Sequence, residues 1–269
     1  MQSNEYLMES DDEVLRLDIK TDDKVVENQA IWAGIKPGMH IADICCGSGK
    51  TTSVLHKLTQ PGGIAVGVDG SKNRVEYARK HYHVPGLEFQ CKDIREPLDD
   101  LGVYDFVWVR FLLEYYLDDS FNIVRNISRI IKPGGILCLI DLDHNCLNHF
   151  ALSPRLERTI FSIIKYLEKN ANFDPYAGRK LYSHLYTLGY QDINVDVAAH
   201  HLIFGKLKDV DAFNWIKKIE VISRKIPYIF EEYQEGYEAF LKEFNGYFND
   251  PGRFTYTPAI LCRGRKPVF

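Results

Sequence analysis

The chain has 269 residues, 45% of them apolar, enough to bury a full core as one large domain or a domain with an appendage. Its 33 basic and 37 acidic residues give a formal net charge of -4 with no long block of either sign, which argues against DNA or RNA as a partner. No uninterrupted apolar run approaches the roughly 18 residues of a membrane span.

Taken in chain order, the acidic start Met1-Gln2-Ser3-Asn4-Glu5 has no apolar core, which argues against a secretory signal. Strand and helix patterns alternate from about residue 24 to residue 145. The first apolar run, 40–45, leads through Asp43 into Cys45-Cys46-Gly47-Ser48-Gly49, and a helix pattern covers 50–59. A strand feeding a glycine turn and then a helix presents free backbone N–H groups to a small ligand. Gly47 and Gly49 allow the close approach and the positive φ that such a turn needs. A P-loop would require glycine where Ile44 stands, and a dinucleotide fingerprint would require it where Thr52 stands.

The second strand, 64–69, ends on Asp69 and continues into Gly70-Ser71. An acid there can accept both ribose hydroxyls of an adenosine-containing ligand. A helix pattern over 71–82 precedes the third strand, 87–91, after which Asp93 can accept the amine of adenine while Ile94 packs on the base. A weak helical pattern surrounds 95–101. The fourth strand, 104–109, exits through Arg110 and Phe111 toward Glu114, Tyr115 and Tyr116. A helix over 118–131 stops at Lys132-Pro133-Gly134-Gly135, which turns into a fifth strand, 135–141, with Asp141, Asp143 and His144 at its end. Plainer roles compete for each: Asp69 and Asp93 as helix caps, Arg110 with Glu114 as an i,i+4 pair, the aromatics as core.

Beyond the fifth strand, Ser153-Pro154 opens a helix, a second helix ends at Gly189, and a strand covers 191–204. Residues 207–248 form two aromatic-rich helical patterns before a last strand over 254–267. The β-α repeats indicate an α/β fold in which a parallel sheet is covered by helices on both faces and ligands bind past the carboxyl ends of its strands. The six cysteines, at 45, 46, 91, 138, 146 and 262, have no metal-type pairing; no metal is expected, and reduced thiols suit a cytoplasmic protein.

The order of glycine loop, acid after strand two, acid after strand three and aromatic exit after strand four resembles the class I S-adenosylmethionine-dependent methyltransferases over roughly residues 30–145. Tyr6-Leu7 followed by Glu13 to Leu17 looks like the leading segment of the small-molecule enzymes related to ubiquinone and menaquinone biosynthesis. The resemblance implies one domain over 1–269 with a Rossmann-like, mostly parallel seven-stranded sheet and an antiparallel last strand. The core would take about 24–145, 176–205 and 252–269, with an N-terminal lid over 1–23 and a helical cover over 150–175 and 206–250. It carries Asp43, Cys45, Gly47 and Gly49 to the cofactor's methionine end, and Asp69, Gly70 and Ser71 to the ribose. Asp93 and Ile94 match the adenine site, Arg110 and Phe111 the methyl-transfer centre, and Tyr6 and Arg16 the leading segment over the cofactor. Cys45 departs from the pattern, standing where the family has glycine.

The expected function is methyl transfer from S-adenosylmethionine to a small organic acceptor. Asp141, Asp143 and His144 are the first candidates for a base by topology, with Glu114 and Tyr115 behind them. A module that binds the cofactor without transferring a methyl group is the alternative, since fold does not settle function. A nucleic-acid or protein methyltransferase is weaker, because no basic stripe accompanies the site. A homodimer contact through the aromatic insertion is open.

Overall fold

The computed structural model describes residues 13–223 and 227–268. Two helices lead, α1 (Glu13–Lys20) and α2 (Asp23–Ala33). Asp22 caps α2 by accepting from the backbone N–H groups of Lys24 and Val25, and Gly34 ends it in the left-handed conformation. The alternating part follows as β1 (His40–Ile44), α3 (Lys50–Leu58), β2 (Ile64–Asp69), α4 (Lys72–His81), β3 (Leu87–Cys91), β4 (Tyr104–Arg110), α5 (Ser120–Ile127) and β5 (Ile131–Leu142). The remainder comprises β6 (His149–Phe150), α6 (Pro154–Ala171), α7 (Leu181–Thr187), β7 (Gln191–Phe204), α8 (Asp209–Ser223), α9 (Tyr237–Asn249) and β8 (Phe254–Arg265).

The strands form one Rossmann-like sheet. β3, β2, β1, β4 and β5 pair in parallel in that order, β8 pairs antiparallel with β5, and β7 pairs antiparallel with β8. The sheet has eight strands where seven were expected. The extra one, β6, is two residues long and pairs with Phe254 and Thr255, beyond the point where β5 leaves β8. Strand order reverses between β1 and β4, which opens a crevice at their carboxyl ends.

Alternate strand residues feed the two faces, as the period of a β-strand requires. Ile41, Phe106, Trp108 and Cys138 join Val26, Ala30, Leu55 and Val75 from α2, α3 and α4. Ala42, Val107, Val109 and Leu139 join Ile123, Val124 and Ile127 of α5 and Leu181 and Leu185 of α7 on the other face. A third cluster lies in the insertion, where Leu156, Ile160 and Ile164 of α6 pack with Trp215, Phe240, Phe244 and Phe248 of α8 and α9.

Three local expectations shift. The helical pattern near 95–101 is only a short 3-10 turn at Asp99–Leu101, confined between Pro97 and Gly102. The helix expected over 118–131 closes as a 3-10 turn at Ser128–Ile130. Lys132 to Gly135 bulge within β5: Tyr104 lies opposite Ile131 while Phe106 lies opposite Ile136.

Candidate active site

A cavity of about 630 Å³ opens at the carboxyl ends of β1, β2 and β4. Asp43, Cys45, Gly47, Asp69, Gly70 and Ser71 line one side of it, and Asp93, Ile94, Arg110 and Phe111 line another. The structure thus brings ten of the thirteen residues expected at the cofactor to one cavity. α1 closes part of it with Leu17, Lys20 and Thr21, and the last turns of α6 contribute Tyr166 and Asn170.

Asp43 and Asp69 are buried, Asp93 is partly exposed, and all three are preorganised. Asp43 accepts from Thr52 Oγ1 at 2.7 Å, and burial pushes its carboxyl up to about 7. Asp69 Oδ2 accepts from Gly47 N at 2.9 Å, so the glycine loop and the second acid are joined directly. Its Oδ1 accepts from Ser71 N at 2.9 Å and from Arg74 Nε at 3.0 Å. A carboxylate offers about four lone-pair sites. A ligand diol that used Asp69 would therefore displace Arg74. Asp93 is likewise forked by Arg95, which holds its carboxyl below the usual range. Sequence reasoning did not single out these two arginines: Arg74 and Arg95 lie five and two residues after their acids, outside the i,i+3 and i,i+4 spacing that marks a side-chain pair on a helix.

The glycine loop divides its labour. Gly47 (φ +58) lines the cavity, and a Cβ there would come within 3.0 Å of Leu17 Cδ1 on α1. Gly49 (φ +86) does not line it. It precedes α3, and a Cβ would stand 2.6 Å from Ala78 and 2.8 Å from Phe89, so its work is helix–sheet packing. Cys45 takes φ 62, the left-handed turn for which glycine is the usual residue, and its side chain both lines the cavity and packs on the core.

At the exit of β4, the Arg110 guanidinium stacks on Phe111 at 4.1 Å. Its Nε is buried with no hydrogen-bond partner among the described residues, and burial lowers its pKa to about 10 against the pull of Asp43. A buried cationic donor without a partner at a cavity wall fits an anionic ligand group.

The three foremost base candidates stand elsewhere. Asp141 is buried and accepts on Oδ2 from the N–H groups of Leu112, Leu113 and Glu114 and on Oδ1 from that of Leu142, thereby fixing the turn after β4. Asp143 is forked by Arg179, and His144 sets its ring edge against Tyr176 at 5.2 Å. None of the three lines the cavity. The cause is chain direction: Asp141 points back under the neighbouring strand exit, and Asp143 and His144 have already passed the sheet edge toward the turn at Ala177–Lys180. Glu114 and Tyr115 do line the cavity. Glu114 is buried, accepts from Asn145 Nδ2, and has its pKa raised by burial against the attraction of Lys218 and Lys20.

Of the leading segment, Tyr6 lies outside the described residues. Arg16 does not reach the cavity: its guanidinium forks onto Glu13 at 2.7 Å and donates to Asn214 Oδ1 at 2.7 Å, buried between α1 and α8. Lys20, one turn later, takes the place at the cavity wall.

An acid-bearing glycine loop is thus joined to a second buried acid at the reversal of strand order. Residues 42–139 match the methyltransferase domain family. The chain is 32% identical over 110 residues to the ubiquinone biosynthesis O-methyltransferase of Coxiella burnetii, covering 40% of this chain and 45% of that protein. It is 29% identical over 110 residues to the demethylmenaquinone methyltransferase of Bacillus cytotoxicus, covering 39% and 46%. The match thus spans less than half the length of these relatives. Among solved structures, phosphoethanolamine N-methyltransferase 2 of Haemonchus contortus in complex with S-adenosylmethionine superposes with a TM-score of 0.57 at 17% identity, over 96% of this chain and 57% of that one. Coclaurine N-methyltransferase bound to N-methylheliamine and S-adenosylhomocysteine gives 0.55 at 18%, over 90% and 72%. A [4+2]-cyclase gives 0.54 at 16%, over 92% and 82%. The likeness of fold to these structures runs through nearly the whole chain, whereas the family match is confined to residues 42–139.

Proposed function

We propose that the protein transfers a methyl group from S-adenosylmethionine to a small organic acceptor. The observation that carries the reading is the hydrogen bond from Gly47 N to Asp69 Oδ2, which sets a buried acid and the glycine turn on one cavity wall. The match of residues 42–139 to the methyltransferase domain family, and the likeness of the chain to methyltransferases named for quinone biosynthesis, support it. In this reading Asp69 holds the ribose after Arg74 turns aside, Asp93 and Ile94 hold the adenine, and Arg110 holds the carboxylate of the methionine end. When bound, the cofactor supplies an activated methyl group on a sulfonium. The chain's own part is to align an acceptor against it, exclude water, and remove a proton where the acceptor carries one. Glu114, a buried carboxylate at the cavity wall with a raised pKa, is the group we assign to that last task. A cavity of about 630 Å³ suits a cofactor with a small second ligand, and all six cysteines are free thiols, which suits the reducing cytoplasm.

The experiment is calorimetric titration with S-adenosylhomocysteine, NAD and ATP, followed by incubation of the protein with methyl-labelled cofactor and a small-molecule extract. Binding of S-adenosylhomocysteine alone, with label passed to an acceptor of low mass, is the expected result. Tight NAD or ATP binding with no S-adenosylhomocysteine signal overturns the reading. The fold likeness to a cyclase gives the second reading its place: a cofactor-binding protein that passes no label.

A further inference from the structure

The cofactor reading leaves an unbalanced charge on the α1 side of the same cavity. Arg16 is matched by Glu13, and Arg110 faces Asp43. Lys20 and Lys218 both act on the single carboxylate of Glu114, which Asn145 also occupies. Neither lysine makes an ion pair with a carboxylate among the described residues. Lys218 rests over Trp215 at 5.3 Å and stands outside the cavity; Lys20 lines the cavity and lies 5.8 Å from the centre of the Phe111 ring.

The geometry points to an anion subsite in which Lys20 takes the carboxylate of an aromatic methyl acceptor, whose ring packs on the cavity's aromatic lining of Phe111, Tyr115 and Tyr166. Burial and the cations of Arg16 and Lys218 hold the Lys20 pKa well below the usual lysine range, so an incoming anion relieves a repulsion already present. The aromatic lining favours a flat ring over an aliphatic chain by offset or edge contacts. The inference rests on the cofactor reading for the word acceptor, while the anion site itself stands on Lys20 and its surroundings.

The test uses the full chain, saturated with S-adenosylhomocysteine, titrated with benzoate and with benzamide as its neutral counterpart. Benzoate is expected to bind at least about tenfold tighter than benzamide, the lower end of what one charge-assisted hydrogen bond supplies. Lys20→Met is expected to abolish that preference and Lys20→Arg to keep it, both with S-adenosylhomocysteine affinity within about twofold of wild type. Equal binding of benzoate and benzamide by the wild type overturns the proposal. So does a Lys20→Met variant that loses affinity for S-adenosylhomocysteine but not for 5′-methylthioadenosine, because Lys20 would then serve the cofactor's own carboxylate. Wild-type protein that binds no S-adenosylhomocysteine refutes the cofactor reading instead. The benzoate and benzamide comparison is then made on the chain alone, where the same outcomes decide the role of Lys20.

Discussion

Asp69 has three donors on its two oxygens before any ligand arrives, and this makes its substitution informative. Asp69→Asn keeps the size of the side chain but removes the charge that strengthens bonds to ligand hydroxyls. Its S-adenosylhomocysteine affinity is expected to fall about 10- to 1000-fold by calorimetry, since two charge-assisted bonds at about 1.5–3 kcal/mol each are weakened in part. Gly49→Ala tests the packing role assigned above. The new Cβ meets Ala78 and Phe89 at distances that require both to move, in a backbone conformation unfavourable to alanine. A loss of about 2–4 kcal/mol in urea unfolding is expected from overpacking together with left-handed strain. Glu114→Gln separates chemistry from binding: turnover is expected to drop by about 10²- to 10⁴-fold with S-adenosylhomocysteine affinity retained. Unchanged turnover would remove Glu114 as the base.

At the scale of elements, α1 is attached through a buried guanidinium. Arg16→Met leaves Glu13 buried without its fork and Asn214 without its donor. Breaking such a pair costs about 3–5 kcal/mol, and the loss is expected to appear as faster amide exchange in α1 while the parallel strands stay protected. The insertion carries its own pH dependence. His149 sits edge-on to Trp215, Tyr247 and Phe248, donates or accepts at Thr255 Oγ1, and is pushed by burial from 6.5 down to about 4. Its folded-state pKa lies below the unfolded one, so the unfolded chain takes up the proton first as pH falls. The contribution is complete above about 6.5 and is lost progressively down to about 4, amounting to about 3 kcal/mol. Asp43, raised to about 7, works in the opposite sense over an overlapping range. The slope specific to His149 is therefore read as the difference between wild type and His149→Gln in urea midpoints from pH 4 to 7, where the variant is expected to lose less stability on acidification.

For the whole molecule, the cavity lies between the parallel sheet and two segments that are not part of it, α1 and the end of α6. Exclusion of water from a reactive sulfonium calls for that kind of cover. S-adenosylhomocysteine at about 100 times its dissociation constant is expected to raise global stability by about 2.7 kcal/mol. It is also expected to slow proteolytic cleavage before residue 25, because Leu17 and Thr21 line the cavity the ligand fills. Cleavage at equal rates with and without ligand would show that α1 does not respond to the site.

The alternation of short apolar runs with helical periods was enough to place β1 to β5 and the helices between them, because strand and helix periods are local properties of the chain. The acids and glycines at the strand ends were legible for the same reason: in a parallel sheet, chain order alone puts each strand exit at one edge. What the sequence could not settle is what faces what. Asp141 read as a free acid after a strand, yet it holds three amides of a turn 27 to 29 residues earlier. Arg16 read as a ligand contact, yet its partner Asn214 lies 198 residues away. Lys20 carried no signal in one dimension, since only the docking of α1 across the mouth of the sheet turns a helix-end lysine toward the cavity. Local pattern determined the elements and their exits; the orientation of each charged side chain was decided by long-range packing, where burial and the available partners outweigh any preference of the residue itself.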